Sequence, residues 1–414
     1  MHTQVSQFYL DLEKEYGAFN YEPLPVVLET GKGIFLWDTE GKKYFDFLSA
    51  YSAVNQGHCH PKIIDTLKAQ AERLTLTSRA FYNDQLGQME KFLCETFGFD
   101  RMIPMNTGVE AAETSVKLAR RWGYQVKGIP DEKAKIVFAS GNFWGRSLGA
   151  ISASTDPLSR NDFGPFVPGF ETIPFNDTKA LEKELENPNV CAFMVEPIQG
   201  EAGVLLPDSG YLREIRRICS EKKILLILDE IQTGLGRTGK LLASDHENVK
   251  PDILVLGKAL SGGTMPVSAT LASDEIILTL KPGTHGSTFG GNPLGAAVAK
   301  TAVQVLLEEK LSENAEARGI EFRESMQLLR ESFPDKIKEV RGKGLLNAVE
   351  FFPNKQGNPI AKKICYRLME DGVLAKQTHD HTIRFAPPLC ITKAQMMEAS
   401  DTISQAIRKT LDES

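Results

Sequence analysis

Short, almost continuous apolar runs recur through the middle of the chain, at Lys135–Ser140, Val190–Pro197, Ile224–Glu230, Ile253–Leu256 and Val267–Ala272. Runs of this kind, closed by polar residues or glycine, predict strands buried on both faces. Helical spacing appears between several of them. Gly210–Lys223 places Leu212, Ile215 and Ile218 with Cys219 on one stripe, and Pro61–Leu76 does the same with Ile64, Leu67, Ala71 and Leu74. Gly108–Trp122 repeats the pattern with Val109, Ala112, Val116 and Ala119, and it opens on the turn-like Asn106-Thr107-Gly108. The alternation predicts an α/β fold built on a mainly parallel central sheet.

The texture changes after Gly290-Gly291-Asn292-Pro293. Two long helical patterns follow, Leu294–Glu309 and Glu313–Glu331, then Val340–Gly344 with an apolar run to Phe352. A helix around Ile360–Asp371, a short strand at Thr382–Phe385 and a helix from Lys393 predict a smaller α+β C-terminal domain. The boundaries drawn from this texture are an N-terminal segment 1–51, a large domain 52–293 and a small domain 294–414.

The chain has 414 residues, 42% of them hydrophobic and 25% charged, enough to bury a large core without covalent staples. Its net charge of −6 and lack of a long basic run disfavour nucleic acid, whose binding rests on neutralising phosphates. A local basic pocket for a small anion stays compatible with that balance. No apolar run approaches the roughly 20 residues of a bilayer span. The first residues carry Asp11, Glu13 and Glu15, and the first arginine is Arg73, unlike an Arg-rich transit peptide. The expected setting is cytoplasmic, or the mitochondrial matrix for a chain whose presequence has been removed. The six cysteines form no CxxC and read as reduced thiols.

Some motifs mislead. Gly234-Leu-Gly236-Arg-Thr-Gly239-Lys240 fits GxGxxG and nearly a phosphate-binding loop, yet Leu241 stands where the magnesium-binding Ser or Thr is needed. Asp229–Thr233 also separates the motif from its strand, so it reads as a flexible loop beside a site. His58-Cys59-His60 matches no zinc spacing and has no second cluster, which leaves turn packing or a hydrogen bond as its use.

Three features instead fall at strand ends, where open α/β sheets bind ligands. Asp229 closes one apolar run, Lys258 follows another and precedes small residues, and Asn106-Thr107-Gly108 starts a helix whose unpaired amides suit phosphate. A lysine taken out of water loses its charge and becomes able to condense with a carbonyl. Phosphate cradle, carboxylate and lysine together meet the needs of pyridoxal 5'-phosphate.

The stretches NQGHCHP (55–61), VEPIQGEAGV (195–204), LDEIQTGLGRTGK (228–240), LGKALSGG (256–263) and HGSTFGGNP (285–293) resemble the class III aminotransferases of fold type I, and within them the ornithine-using members. The similarity runs from GAFNYEPLPVVLE (17–29) to IRFAPPL (383–389). It implies a pyridoxal-phosphate enzyme and a homodimer with shared active sites. In that pattern Lys258 is the lysine that joins the coenzyme and moves the proton. Asp229 pairs with the pyridine nitrogen, Gln232 with the phenolic oxygen, and Phe143 stacks on the ring. Gly108 and Val109 cradle the phosphate, with Ser287 and Thr288 donated by the neighbouring subunit. Arg384 binds the α-carboxylate of 2-oxoglutarate and glutamate, and Glu201 masks it while ornithine is bound. Arg146 grips the far carboxylate of 2-oxoglutarate and, with Tyr21, the ornithine carboxylate. Tyr51 goes with ornithine preference. The implied reaction carries the δ-amino group of L-ornithine to 2-oxoglutarate, giving glutamate 5-semialdehyde and glutamate. Acetylornithine and 4-aminobutyrate are the alternative donors.

Overall fold

The computed structural model describes residues 4–354 and 356–413. Three antiparallel strands open the fold, β1 (Leu28–Lys32), β2 (Phe35–Asp38) and β3 (Lys43–Asp46). The central sheet has seven: β4 (Arg101–Met105), β5 (Lys135–Ala139), β6 (Phe170–Ile173), β7 (Val190–Val195), β8 (Leu225–Asp229), β9 (Ile253–Leu256) and β10 (Ser268–Ala272). Their order is β4-β10-β9-β8-β7-β5-β6. The pairs β5–β6, β5–β7, β7–β8 and β8–β9 are parallel, while β10 runs against both β4 and β9.

Connection length sets these directions. The segments leading from β5 to β9 are long enough for crossovers, and one of them holds the Tyr211–Glu221 helix that the apolar stripe predicts. Only residues 257–267 separate β9 from β10, too few for a crossover, so the Val267–Ala272 run returns antiparallel. The other six strands share one direction. Their carboxyl ends therefore gather at one edge, carrying Asp229 at the end of β8 and Asn106, Glu196 and Lys258 just beyond β4, β7 and β9. The register Leu228↔Leu254 and Asp229↔Val255 sets Asp229 beside the strand that leads to Lys258.

The C-terminal region contributes β11 (Ile337–Lys343), β12 (Leu346–Phe351), β14 (Lys376–Thr378) and β15 (Thr382–Phe385), ordered β11-β12-β15-β14. The apolar run ending at Phe352 is thus the second arm of a hairpin. A two-residue strand, β13 (Val373–Leu374), leaves this region and pairs parallel with β3. Phe47, directly after β3, packs against Phe322 and Phe385. The start of the chain and its C-terminal third share one buried cluster, which also takes in Leu254, Leu256 and Leu260 from around β9.

Two local expectations change. The helix predicted over Pro61–Leu76 ends at Ala71, leaving Leu74 and Leu76 exposed on an irregular segment. The Gly234–Lys240 loop is not flexible: residues 232–239 are buried. Arg237 lies at its centre with no exposed surface. It donates to the carbonyls of Leu345 and Pro387 at 2.9 and 2.7 Å, and to Asn55 Oδ1 at 2.6 Å. Carbonyl oxygens take up its two Nη groups, while its buried Nε has no partner, and the bonds weld the loop to the C-terminal region.

Candidate active site

The carboxyl edge of the sheet assembles the site from short loops on rigid strands. Lys258 opens a one-turn helix after β9, with φ of +44°. It is half-buried, and the charges acting on it are Glu201, Arg384, Asp229 and Glu196. Burial pulls its amine down from the ordinary lysine range to about 8, Arg384 pushes the same way, and the carboxylates oppose. A neutral amine is thereby within reach near pH 8. Gly257 before it packs so close to Ile231 that a Cβ would press on that side chain.

Asp229 is almost fully buried. Its Oδ1 accepts the Ile231 amide at 3.0 Å, and its Oδ2 has no partner. Burial raises the carboxyl to about 6, against the Ile231 amide and Lys258, with Glu230 adding to the rise. A buried orphan oxygen of this kind calls for a donor from a ligand. Ala53, Asn106, Thr107, Gly108, Lys258 and Gly263 line a cavity of about 350 Å³ nearby. The Gly108–Gln125 helix starts there, and its first amides, Gly108 and Val109 among them, have no carbonyl within the helix to bond. Glu110 holds the preceding turn by accepting the amides of Asn106 and Thr107 at 3.0 and 2.8 Å. Helix-start amides for a phosphate and a lysine with a lowered amine line one cavity, and the unpartnered acid acts on that lysine; the set fits pyridoxal phosphate.

On the substrate side the expected pair is formed. Arg384, on β15 and 2% exposed, donates from Nη1 to Glu201 Oε1 at 2.7 Å. Gln232 donates from Nε2 to the same oxygen at 2.9 Å, and its own Oε1 accepts from Arg384 at 3.3 Å. Burial alone would raise the Glu201 carboxyl; Arg384, Lys258 and the Gln232 hydrogen bond outweigh it and hold it at about 2. Arg384 Nε is buried without a partner. Arg341 fastens the loop carrying Glu201 by donating to the Gly203 carbonyl at 2.7 Å. The Tyr51 ring lies 5.0 Å from the Arg384 guanidinium carbon, within cation–π range. Burial raises the Tyr51 hydroxyl, and Glu201 raises it further.

Other expected residues stand further out. Phe143 follows β5, and its amide donates to Glu196 Oε1 at 2.9 Å. Arg146 sits over the Phe143 ring, 5.5 Å from its centre, and donates to Ser159 at 2.8 Å, apart from the Arg384 cluster. Tyr21 is largely exposed and shares a groove of about 420 Å³ with Tyr51, Leu24, Leu48 and Leu374. Ser287 and Thr288 line a separate hollow with Leu76, Ser78 and Arg79. Within the same chain Ser287 Oγ accepts from Asn106 Nδ2 at 3.0 Å, which puts it next to the helix start.

Several site residues escaped the sequence reading. Glu196 directly follows β7 while Asp229 ends β8, and the same strand-end rule would have found it. Burial, then Asp229, raises its carboxyl well above the usual range. Asp46 supports the pocket from the N-terminal segment, where no periodic signal marks it. Tyr51 itself stands in a left-handed turn, Ser49–Ser52 with φ of 49, 46, 59 and 73°, each such residue costing roughly 1–2 kcal/mol. His58 and His60 bond Asp46 and Glu309 at 2.7 and 3.0 Å. No group of described His, Cys, Asp and Glu side chains could hold a metal.

A family model described as "Aminotransferase class-III" matches residues 16–407. The chain is 59% identical over 402 residues to "Ornithine aminotransferase, mitochondrial" of Rattus norvegicus, covering 97% of this chain and 90% of the relative. The crystal structure of the ornithine aminotransferase from Toxoplasma gondii ME49 superposes with a TM-score of 0.96 at 48% identity, covering 100% of this chain and 97% of that one. An acetylornithine aminotransferase from Elizabethkingia anophelis gives 0.89 at 50% identity, covering 98% and 99%. Fold, strand-end constellation and comparisons converge: the chain belongs to the class-III aminotransferases, which work with pyridoxal phosphate.

Proposed function

We propose that this aminotransferase takes the δ-amino group of L-ornithine and delivers it to 2-oxoglutarate. The observation that carries the reading is the Glu201–Arg384 pair at 2.7 Å beside Lys258. An ornithine-to-dicarboxylate transferase must hide a cation from one substrate and show it to the other. With the pair closed, the pocket presents little net charge to a distal ammonium chain. With Glu201 swung aside, Arg384 offers a planar fork for a carboxylate. Gln232 bonds both partners and is placed to hold either arrangement.

The coenzyme supplies the electron sink that lets a carbon–hydrogen bond beside the amine ionise. In this reading Asp229 would keep the ring nitrogen protonated, Phe143 would pack on the ring, and Gly108 and Val109 would hold the phosphate. Lys258 carries the proton to and from the substrate carbon, its amine being within reach of the neutral form near pH 8. Gln232 steadies the phenolic oxygen. Arg146 receives the far carboxylate of 2-oxoglutarate and, with Tyr21, the ornithine carboxylate.

We further infer a homodimer in which Ser287 and Thr288 complete the partner's phosphate site. Leu74, Leu76, Phe81, Tyr82 and Phe289 stand exposed on the two segments that border the Ser287 hollow. An apolar surface of that kind supports coverage by a second copy. The large and small domains are proposed to meet at residue 293. Of the two compartments, the mitochondrial matrix is supported by the designation of the rat and Drosophila melanogaster relatives.

Acetylornithine is the second reading, since a relative of comparable identity bears that name. Its acetyl group caps the α-amine, which ornithine would bring free to the groove of Tyr21 and Tyr51, where Glu13 supplies a carboxylate. Turnover of ornithine, acetylornithine and 4-aminobutyrate with 2-oxoglutarate is expected to favour ornithine by at least ~10-fold in kcat/KM; a preference for either rival overturns the assignment. Glu201→Ala leaves the Arg384 charge permanently unmasked, so the ratio of glutamate to ornithine reactivity is expected to rise at least ~10-fold, and an unchanged ratio removes the masking argument. The ammonium form of Lys258 cannot attack an aldehyde. Uptake of pyridoxal phosphate by coenzyme-free chain should therefore quicken with rising pH, with its midpoint at about 8 and its plateau above that. A midpoint near the ordinary lysine value would contradict the lowered amine.

A further inference from the structure

The Ser49–Ser52 turn lies between two spaces. Leu48 and Tyr51 line the substrate groove, and Ala53 lines the coenzyme cavity. All four turn residues bear side chains and all have positive φ. Backbone held in this region persists only where its surroundings over-determine it, and such places cluster at functional sites.

The surroundings converge on Asp46, which is 3% exposed. Its Oδ1 accepts the amides of Leu48 and Ser49, both at 2.8 Å. Its Oδ2 meets His58 Nε2 at 2.7 Å. His58 is fixed in turn by a reciprocal backbone bridge with Gly33, at 2.8 and 3.0 Å. The Ser49 carbonyl accepts from Ala53 and Val54, closing the turn. Upstream, the Phe47 amide donates to the Leu374 carbonyl, and the Phe47 carbonyl accepts from Ala386, two residues past Arg384. The turn is thereby held against the strand that carries Arg384. A right-handed turn over the same residues would swing the Tyr51 Cα–Cβ bond away from its place 5.0 Å from the guanidinium.

We propose that Asp46 is a positioning residue for substrate selection: its carboxylate, locked by His58, holds the left-handed turn that presents Tyr51 to Arg384. The inference rests on Tyr51 belonging to the ornithine pocket. It deepens that reading by naming what places the tyrosine.

A double-mutant cycle on the holoenzyme tests it, because a residue acting through Tyr51 loses its effect once Tyr51 is gone. Asp46→Ala is expected to lower kcat/KM for ornithine at least ~10-fold in the native background and less than ~2-fold in a Tyr51→Ala background. Coenzyme affinity is expected to change by less than ~2-fold in each variant. Asp46→Asn, which keeps the oxygen that accepts the two amides, should restore most of the loss. Should Asp46→Ala fail to fold, His58→Ala goes through the same cycle with the same criterion. Equal losses in both backgrounds, or a loss that follows coenzyme release, overturn the proposal while leaving the ornithine pocket standing. A Tyr51→Ala chain that uses ornithine as well as the native one removes the pocket reading, and this inference with it.

Discussion

A carboxylate taken out of water must be paired, protonated or bound by donors, and the carboxyl edge of the central sheet uses all three solutions within a few residues. Glu201 is paired with Arg384 and held at about 2. Glu196 is driven toward its neutral form and bonded to the Phe143 amide. Glu230 accepts from Thr233, Ala243 and Ser244, and so braces the loop that follows it. Asp229 alone is left with a bare oxygen. That remaining desolvation penalty is what a protonated ring nitrogen would relieve. Burial also brings the Lys258 amine to about 8, so the proposed coenzyme capture and proton transfer would draw on one cause.

Precision on the substrate side is bought with backbone strain and buried cations. Four consecutive positive-φ residues place Tyr51, and Arg237 is sealed in with carbonyls rather than a carboxylate. Both features join the N-terminal segment, the loop after β8 and the C-terminal sheet into one frame around Arg384. The frame explains how an arginine from β15 and a glutamate from the loop after β7 meet at hydrogen-bond distance although they lie 183 positions apart in the chain.

The parts that could be read from the chain are those that local periodicity or strand-end rules control. The buried runs at β5, β7, β8 and β9 were plain, as were the stripe over Tyr211–Glu221 and the helix opening at Gly108. Asp229 and Lys258 followed because strands end where ligands bind. The direction of β10 was hidden, since an apolar run looks alike either way and only the short link after Lys258 decides it. The Gly234–Lys240 loop looked mobile because glycine suggests freedom. Its burial comes from the Arg237 bonds to Leu345 and Pro387, partners about 110 to 150 positions away. Arg384, Glu201, Tyr21, Tyr51 and Arg146 were reached through resemblance rather than pattern. The chain places Glu201, Arg384 and Tyr51 together, with Tyr21 in the same groove as Tyr51, while Ser287 and Thr288 line a separate hollow.

One proposal underlies this account: that the side-chain nitrogen of Lys258 carries the aldehyde of pyridoxal phosphate in the resting enzyme. Borohydride reduction of the holoenzyme followed by peptide mass mapping reads it directly. The account predicts one stable pyridoxyl adduct, on the peptide containing Lys258. An adduct on a different lysine, or none in fully loaded protein, would contradict it.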